Sequence, residues 1–427
     1  MTKHKQPEVL VAGAGPVGQA AALSLVDRGI AVQIVDEEWK SAGHSYALAL
    51  HSGTLRLFEE LGLLDAVLAE ALLVRRLELY DGTEKRAEID FGAAGEPPHL
   101  AVLSQAELER ILEDALAERG VDVQWNHRLS RFFQKEEQVR VVVDELVKDS
   151  VGYAVSGTTW LVGKSKELSV PFVIGADGHS SLVRRQIGIP FDEVGPSRQF
   201  SVFEFATDAE VGDAMRIAFD PAGVTLFWPL PGQRCRFSFE STETASTSRH
   251  KARLMFQFRG FEYHAIEARH LHDLLDRRAP WFQGGIKEIH WSTEVRFEHR
   301  LARSFGEGRL WLVGDAAHMA GPAGVHSMNV GFREARDLTT ILHRILREEA
   351  SPSELGRYDQ ERLAEWRQLL GLTGWLEATA ATDPWIAQHR DRLLACLPAS
   401  GEGLAKLAGS LGLEHRSEPV PSRSASL

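Results

Sequence analysis

Val9-Leu10-Val11-Ala12-Gly13-Ala14-Gly15-Pro16-Val17-Gly18 is the stretch on which the reading of the fold turns. Four apolar residues in a row suit a strand buried on both faces of a parallel sheet. The glycines that follow fit G-x-G-x-x-G. Gly13 permits a tight turn, Gly15 lets a pyrophosphate approach the backbone, and Gly18 lets helix and strand pack closely. Val17 to Arg28 then reads as a helix, closed by Gly29, and Ala31 to Asp36 as a second strand. The free N–H groups at that helix start attract phosphate. Asp36, 23 residues after Gly13, offers a carboxylate to a ribose. This β-α-β unit predicts an adenine dinucleotide site; the glycine pattern alone leaves FAD and NAD open.

Working outward, apolar and helical stretches alternate. Helices are expected over 52–61 and 105–119, strand-like patches over 77–91, a strand at Val121 to Trp125, and a small β-meander over 138–164. Val170 to Gly175 is a further buried strand, ending in Gly175-Ala176-Asp177-Gly178. From about 188 the character changes: 200–205, 215–219, 224–230 and 235–240 alternate with a period near two between Pro/Gly turns, which predicts an antiparallel sheet. Helical segments are expected over 249–278, a strand at Trp291 to Glu298, and a strand at Arg309 to Val313 leading into Gly314-Asp315-Ala316-Ala317-His318. A long helix over 330–349 and mostly helical chain over 353–413 follow, and the tail from Glu414 is Ser/Pro/Arg-rich.

The chain has 427 residues, enough for two to three domains or one large body with an inserted lobe. Its net charge of −12 argues against a nucleic-acid or anionic-membrane partner. Two cysteines exclude a disulfide scaffold, and no Cys/His cluster has zinc-site spacing, so no metal is expected. No signal-like segment precedes Val9 and no run of about 18 apolar residues occurs, which predicts a cytoplasmic protein.

Two further motifs decide between the dinucleotides. Val173-Ile174-Gly175-Ala176-Asp177-Gly178-His179-Ser180-Ser181-Leu182-Val183-Arg184-Arg185 and Gly308-Arg309-Leu310-Trp311-Leu312-Val313-Gly314-Asp315-Ala316-Ala317-His318 resemble the DG and GD motifs of single-component (class A) flavoprotein aromatic hydroxylases, the p-hydroxybenzoate hydroxylase-like FAD monooxygenases. The resemblance covers residues 8 to about 345. It implies an α/β fold: a Rossmann-type (GR2) FAD-binding domain, an antiparallel β-sheet substrate lobe and a C-terminal helical segment. The expected boundaries are 1–76, 99–187 and 293–349 for the FAD domain, 77–98 and 188–292 for the lobe, 350–413 for the helices, and 414–427 for a flexible tail.

The resemblance also implies roles. Asp315 bonds the ribityl chain, Asp177 sits near the pyrophosphate and the place NAD(P)H visits, and Gln105 matches a residue near the ribityl-phosphate arm. The loop from Met319 should wrap the pyrimidine side of the flavin, with Pro322, Gly324 and Asn329 matching the family pattern. Ser327 stands where glycine is common and His326 where Gln or Lys is common. The expected cofactor contacts are Gly13, Gly15, Pro16, Val17, Gly18, Asp36, Glu37, Gln105, Asp177, Gly314, Asp315, Pro322, Gly324, Val325, His326, Ser327, Met328 and Asn329.

Two arginines common near Tyr46 and Gly53 in the family are absent here, so Tyr46 and His51, with His326, stand as candidates for catalytic side chains. Phe203, Phe205, Phe219, Phe227, Trp228 and Phe237 of the antiparallel sheet are the expected substrate contacts. Where the parent family carries polar and arginine contacts to a carboxylate, Phe227, Trp228, Pro229 and Leu230 stand instead, and an unpaired buried charge is costly. The expected reaction is therefore NAD(P)H-consuming insertion of one oxygen atom from O2, through a flavin hydroperoxide, into a bulky, mostly neutral aromatic or polyketide-like substrate. A monomer or homodimer is expected. A geranylgeranyl-reductase-like saturation of a prenyl-type double bond is the alternative, and a flavoprotein-like scaffold without turnover is a third. A flavin-dependent halogenase would need Trp-x-Trp, which the ten tryptophans never form.

Overall fold

The computed structural model describes residues 6–39, 49–91, 100–151, 157–241, 256–258, 261–263, 268–373 and 376–415. Its first layer is a six-stranded sheet in the order Gly306–Glu307, Leu310–Leu312, Phe172–Gly175, Val9–Ala12, Val32–Asp36, Gln124–Trp125. All neighbours pair in parallel except the edge hairpin of Gly306–Glu307 with Leu310–Leu312. The central strand Val9–Ala12 is wholly buried, as a parallel strand covered on both faces must be. The helices Pro16–Asp27, Gln105–Glu118 and His326–Arg347 supply the covering layers.

Three strands, His127–Gln134, Val139–Val151 and Gly157–Val170, form the meander beside this sheet. The second large layer is eight-stranded. From the edge ladder His318–Met319, the strands Ile286–Ala302 and Phe191–Thr207 follow antiparallel, and next to them Arg234–Ser241, Gly223–Leu230 and Ala214–Asp220. Arg76–Asp81 then adds in parallel to Ala214–Asp220, and Glu84–Asp90 forms the edge.

Several expected elements fall differently. Ile286–Ala302 is one continuous 17-residue strand of the eight-stranded sheet, so the layers part at Ala302 rather than at 293. Within 249–278 the described residues form a short hairpin, Phe256–Phe258 with Phe261–Tyr263, and a helix only from Ala268 to Arg278. The strand expected from Val121 is reduced to Gln124–Trp125. The long helix starts at His326, four residues earlier than its apolar periodicity suggests, because Val325 turns the chain with φ +51° just before it. The C-terminal segment has helices Glu354–Leu369, Pro384–Cys396 and Glu402–Ser410, but also a strand pair, Leu376–Ala378 with Leu413–His415.

Candidate active site

The three motif turns meet at the C-terminal ends of three neighbouring parallel strands, where open α/β sheets bind ligands. Ala176 N donates to Ala12 O at 2.7 Å, and Val313 N to Gly175 O at 3.0 Å. The glycines divide their work. Gly13 has φ +105°, and a Cβ there would lie 2.2 Å from Ala176 O; one at Gly18 would lie 2.0 Å from Gly13 O. A Cβ at Gly15 would meet nothing within 4 Å. Gly13 and Gly18 thus let protein approach protein, and Gly15 keeps open the space ahead of the helix start. Pro16 occupies the first helical turn, and the N–H groups of Val17 and Gly18 have no intrahelical acceptor. Asp36 Oδ2 accepts Ala14 N–H at 2.7 Å and Oδ1 accepts Glu38 N–H at 2.8 Å. It therefore braces the turn. Glu37 beside it is exposed.

Asp177 caps the short helix Leu182–Gln186: its Oδ2 accepts Leu182 N–H at 2.7 Å and Val183 N–H at 3.1 Å. Burial pushes its carboxyl above the usual range, and these hydrogen bonds pull it back. Asp315 differs. Its side chain is exposed and no hydrogen bond to it occurs among the described residues. Protein surrounds the space it faces, and this desolvation pushes the carboxyl up, with His318 and His179 drawing it down and Glu334 raising it further. A carboxylate so placed calls for a ligand hydroxyl.

Sequence reasoning missed the group that holds the Asp315 turn. Glu334, wholly buried on the long helix, accepts Gly314 N–H at 2.8 Å and Trp366 Nε1–H at 2.7 Å, and bonds His318 Nε2 at 2.9 Å. The His318 ring stacks on Trp366 with centroids 3.8 Å apart. Burial raises the Glu334 carboxyl, but His318 and the other donors outweigh it and hold it below the ordinary range. A Cβ at Gly331 would lie 2.8 Å from Val17 Cγ2 and 3.1 Å from Gly314 Cα, so this glycine draws the first helix, the Asp315 turn and the long helix together. An acidic residue on the inward stripe of an amphipathic helix was the available signal.

Val325, a β-branched residue with φ +51°, carries a strain of about 1–3 kcal/mol at the end of the loop. The Ser327 hydroxyl accepts Ala320 N–H at 3.2 Å and so closes the loop, which explains a serine where glycine is common. Met328 is buried. Pro322 lies one turn before Val325, whose N–H reaches Pro322 O at 3.4 Å. Asn329 is committed to protein: its Oδ1 accepts His51 N–H and Thr54 Oγ1–H, both at 2.8 Å, and its Nδ2 donates to Ala49 O at 2.9 Å and Val325 O at 2.8 Å. It ties the loop to the strand Ala49–His51 rather than presenting its amide to a ligand. Gln105 donates to Glu109 Oε1 at 2.6 Å.

The histidine candidates are corrected by their surroundings. His51 is 1% exposed, with Nε2 on Gly324 O at 2.9 Å and Nδ1 near Ser400 Oγ at 3.4 Å. His326 is 2% exposed, with Nε2 on Leu397 O at 2.9 Å. Their rings meet edge to face at 6.1 Å. Burial holds His51 well below the usual imidazole range and His326 at about 4. Both are neutral struts between the loop and the C-terminal segment, not accessible proton carriers. A Cβ at Gly324 would strike the His326 ring at 2.5 Å, so that glycine serves packing. Tyr46 lies outside the described residues.

The sheet aromatics are also re-sorted. Period-two alternation places Phe203, Phe205, Phe227 and Phe237 on the outer face, fully buried in a core closed by the helix Ala268–Arg278, Trp281 and Phe282. They are core, not pocket lining. Phe219 and Trp228 point the other way, into the main core, where Phe219 stacks on His389 at 5.7 Å. That inner face carries two arginines paired within the protein: Arg236 with Glu204 at 2.8 Å and Arg198 with Glu240 at 3.2 Å. Near the Asp177 turn opens a cleft of about 420 Å³, lined by His179, Arg184, Arg185, Phe191, Glu298 and Arg300 among others.

These residues fit FAD. Gly15 leaves the phosphates room at a helix N-terminus, and Asp315 carries an exposed carboxylate that meets no hydrogen-bond partner among the described residues. Comparison with known proteins agrees. The chain is 27% identical over 380 residues to 6-methylpretetramide 4-monooxygenase of Streptomyces rimosus, covering 88% of this chain and 62% of that one. It is 27% identical over 373 residues to pentachlorophenol 4-monooxygenase of Sphingobium chlorophenolicum, covering 85% and 63%. The chain thus spans less than two thirds of the length of these relatives. Among solved structures, p-nitrophenol 4-monooxygenase of Pseudomonas putida superposes with TM-score 0.70 at 20% identity, covering 95% of this chain and 97% of that one. Aklavinone-11 hydroxylase, solved with FAD and aklavinone, superposes with TM-score 0.64 at 22% identity, covering 87% and 68%. Both share the fold. The FAD binding domain family matches residues 6–373, and the chain belongs to it.

Proposed function

We propose that this protein is an FAD-dependent monooxygenase that uses NAD(P)H and O2 to hydroxylate or epoxidise a bulky, mostly neutral aromatic or polyketide-like substrate. The observation that carries the reading is Asp315: a carboxylate exposed at the meeting point of the three motif turns, with no protein hydrogen bond among the described residues. Gly15, Val17 and Gly18 would receive the pyrophosphate at the turn that Gly13 permits, Asp36 the ribose, and Asp315 the ribityl hydroxyls. Bound FAD supplies the activation of oxygen.

The rest falls to the chain. The start of the long helix at His326 places its positive dipole end at the loop, which favours a reduced, anionic ring. The cleft beside Asp177 is lined by Arg184, held by Ala316 O and His179 O, by the Arg300–Glu298 pair, and by Arg185, the cation offered here to the phosphates of a transient nicotinamide donor. The pairing of Arg236 and Arg198 with glutamates supports a substrate without a carboxylate. The names of two relatives, a pentachlorophenol 4-monooxygenase and a 6-methylpretetramide 4-monooxygenase, support the same class.

The test is direct. The chain is purified with FAD, and NAD(P)H oxidation and O2 uptake are followed across a panel of phenols and fused-ring polyketides, with mass spectrometry for a gain of one oxygen. Substrate-stimulated uptake with an oxygenated product is expected. A colourless protein that takes up no FAD refutes the reading, and substrate reduction under nitrogen favours the reductase alternative.

A further inference from the structure

Resting on the monooxygenase reading, we propose that His299 is the proton acceptor for the hydroxyl group of a phenolic substrate. His299 lies on the strand Ile286–Ala302, on the face that carries Val295 and Phe297 toward the FAD domain. It sits opposite Gly195, where a Cβ would come within 3.3 Å of its own Cβ, so the glycine leaves the imidazole room. Nδ1 is 2.9 Å from Pro196 O. A carbonyl only accepts, so Nδ1 bears the hydrogen and Nε2 presents a lone pair. That Nε2 has no hydrogen-bond partner among the described residues, and the side chain is half-buried. It points at the loop that follows the Asp315 turn: a Cβ on Gly321 would lie 3.6 Å from it. A basic nitrogen with a fixed tautomer therefore borders the gap between the sheet and the loop expected to wrap the flavin.

The charged groups around it are Arg198 on the strand Phe191–Thr207 and Glu240 on Arg234–Ser241, which pair with each other at 3.2 Å. Burial keeps the imidazole neutral, below its ordinary range; Arg198 adds to this and Glu240 opposes it. The loop stretch Met319 to Pro322 brings no charge. The proton passes from the phenol O–H to Nε2, leaving a phenolate whose ring carbons are richer in electrons. The imidazolium then releases the proton to water through its exposed edge. No other described histidine near the loop is so placed: His51, His326 and His318 are buried with Nε2 engaged.

The test uses the FAD-loaded oxidised protein and 4-nitrophenol, whose phenol and phenolate absorb at different wavelengths. Titration of the bound ligand should show its ionisation constant raised about tenfold over the free compound, one pKa unit. H299Q and H299A should abolish that rise while keeping the flavin spectrum. In turnover with an unactivated phenol of pKa about 10, both variants should lose about 100-fold in kcat/KM at neutral pH. The loss should shrink as the pH approaches the phenol's own pKa. An unshifted ionisation in the wild type overturns the proposal whatever the variants do, and so does a shift that survives in them. If no phenol binds the wild type, the aromatic-substrate reading itself falls.

Discussion

Glu334→Gln is the substitution that most directly probes how the Asp315 turn is held. The carboxylate receives Gly314 N–H, Trp366 Nε1–H and the His318 ring from three directions, and it is wholly buried. A glutamine of the same shape turns one acceptor into a donor. The orientation that harms least aims the amide NH2 at Trp366 and keeps Gly314 and His318 satisfied. One charge-assisted hydrogen bond is then lost and one buried indole N–H is orphaned, which costs about 2–4 kcal/mol. For 427 residues the entropy of unfolding is roughly 0.9 kcal/mol per kelvin, so the melting temperature should drop by about 2–5 °C. Because the Gly314 N–H bond then goes to a neutral amide oxygen, a weaker acceptor than the carboxylate, the backbone that carries Asp315 is held less firmly and the Kd for FAD should rise about tenfold. Circular dichroism melting and flavin fluorescence titration measure the two effects. Since the Glu334 carboxyl is held below its ordinary range, its contribution is present at neutral pH and is lost as pH falls below about 4; the difference between wild type and variant should close there. A melting temperature within 1 °C of wild type together with an FAD affinity within about twofold would refute this account.

Four other outcomes are expected. Gly15→Ala should fold normally yet weaken FAD binding at least about tenfold, whereas Gly18→Ala should fail to fold stably, because only the second Cβ meets protein, 2.0 Å from Gly13 O; thermal melts with and without FAD separate the two. Phe237→Ala should cost about 3–5 kcal/mol of stability and leave the order of preferred substrates unchanged, since Phe237 belongs to the outer core; denaturant unfolding and a substrate panel check this. His326, held at about 4 by burial, contributes stability that is fully present above about pH 6.5 and lost as pH falls toward 4, roughly 3 kcal/mol in all; His326→Gln should flatten the melting temperature over that window. Arg185→Ala should raise KM for NAD(P)H about five- to tenfold and leave FAD affinity unchanged, because Arg185 lines the cleft beside Asp177 and among the described residues bonds only Ser181 O, at 3.2 Å; steady-state kinetics decide it.

What could be read from the residues was what local geometry controls. The glycine turn, Asp36 and the apolar runs at Val9, Phe172 and Leu310 each demand a particular backbone, and the six-stranded sheet follows from them. The sheet aromatics show where that logic stops. Alternation separates two faces but does not say which face meets the cofactor domain, because that depends on the helix Ala268–Arg278 covering the other one. His51 and His326 stand near glycines and a hydroxyl in the sequence, and nothing local reveals that Leu397 and Ser400, over 70 residues away, bury them. Glu334 and His299 carry no local signal of a role, because their roles come from partners on other elements.

The segment after residue 350 is therefore part of the site rather than an appendage to it. Trp366 donates to Glu334, and Tyr358 donates to Leu312 O at 3.2 Å, just ahead of the Asp315 turn. Leu397 O receives His326, and Ser400 meets His51, which in turn holds Gly324 O. Each contact reaches either the Asp315 turn or the loop from Met319 to Val325, the two backbones that lack strand pairing of their own beyond a two-residue ladder at His318–Met319. A strained Val325 and an αL turn at Gly314 persist only where their surroundings over-determine them. The C-terminal helices provide that determination, so the geometry around Asp315 depends on them as much as on the motifs that announce it.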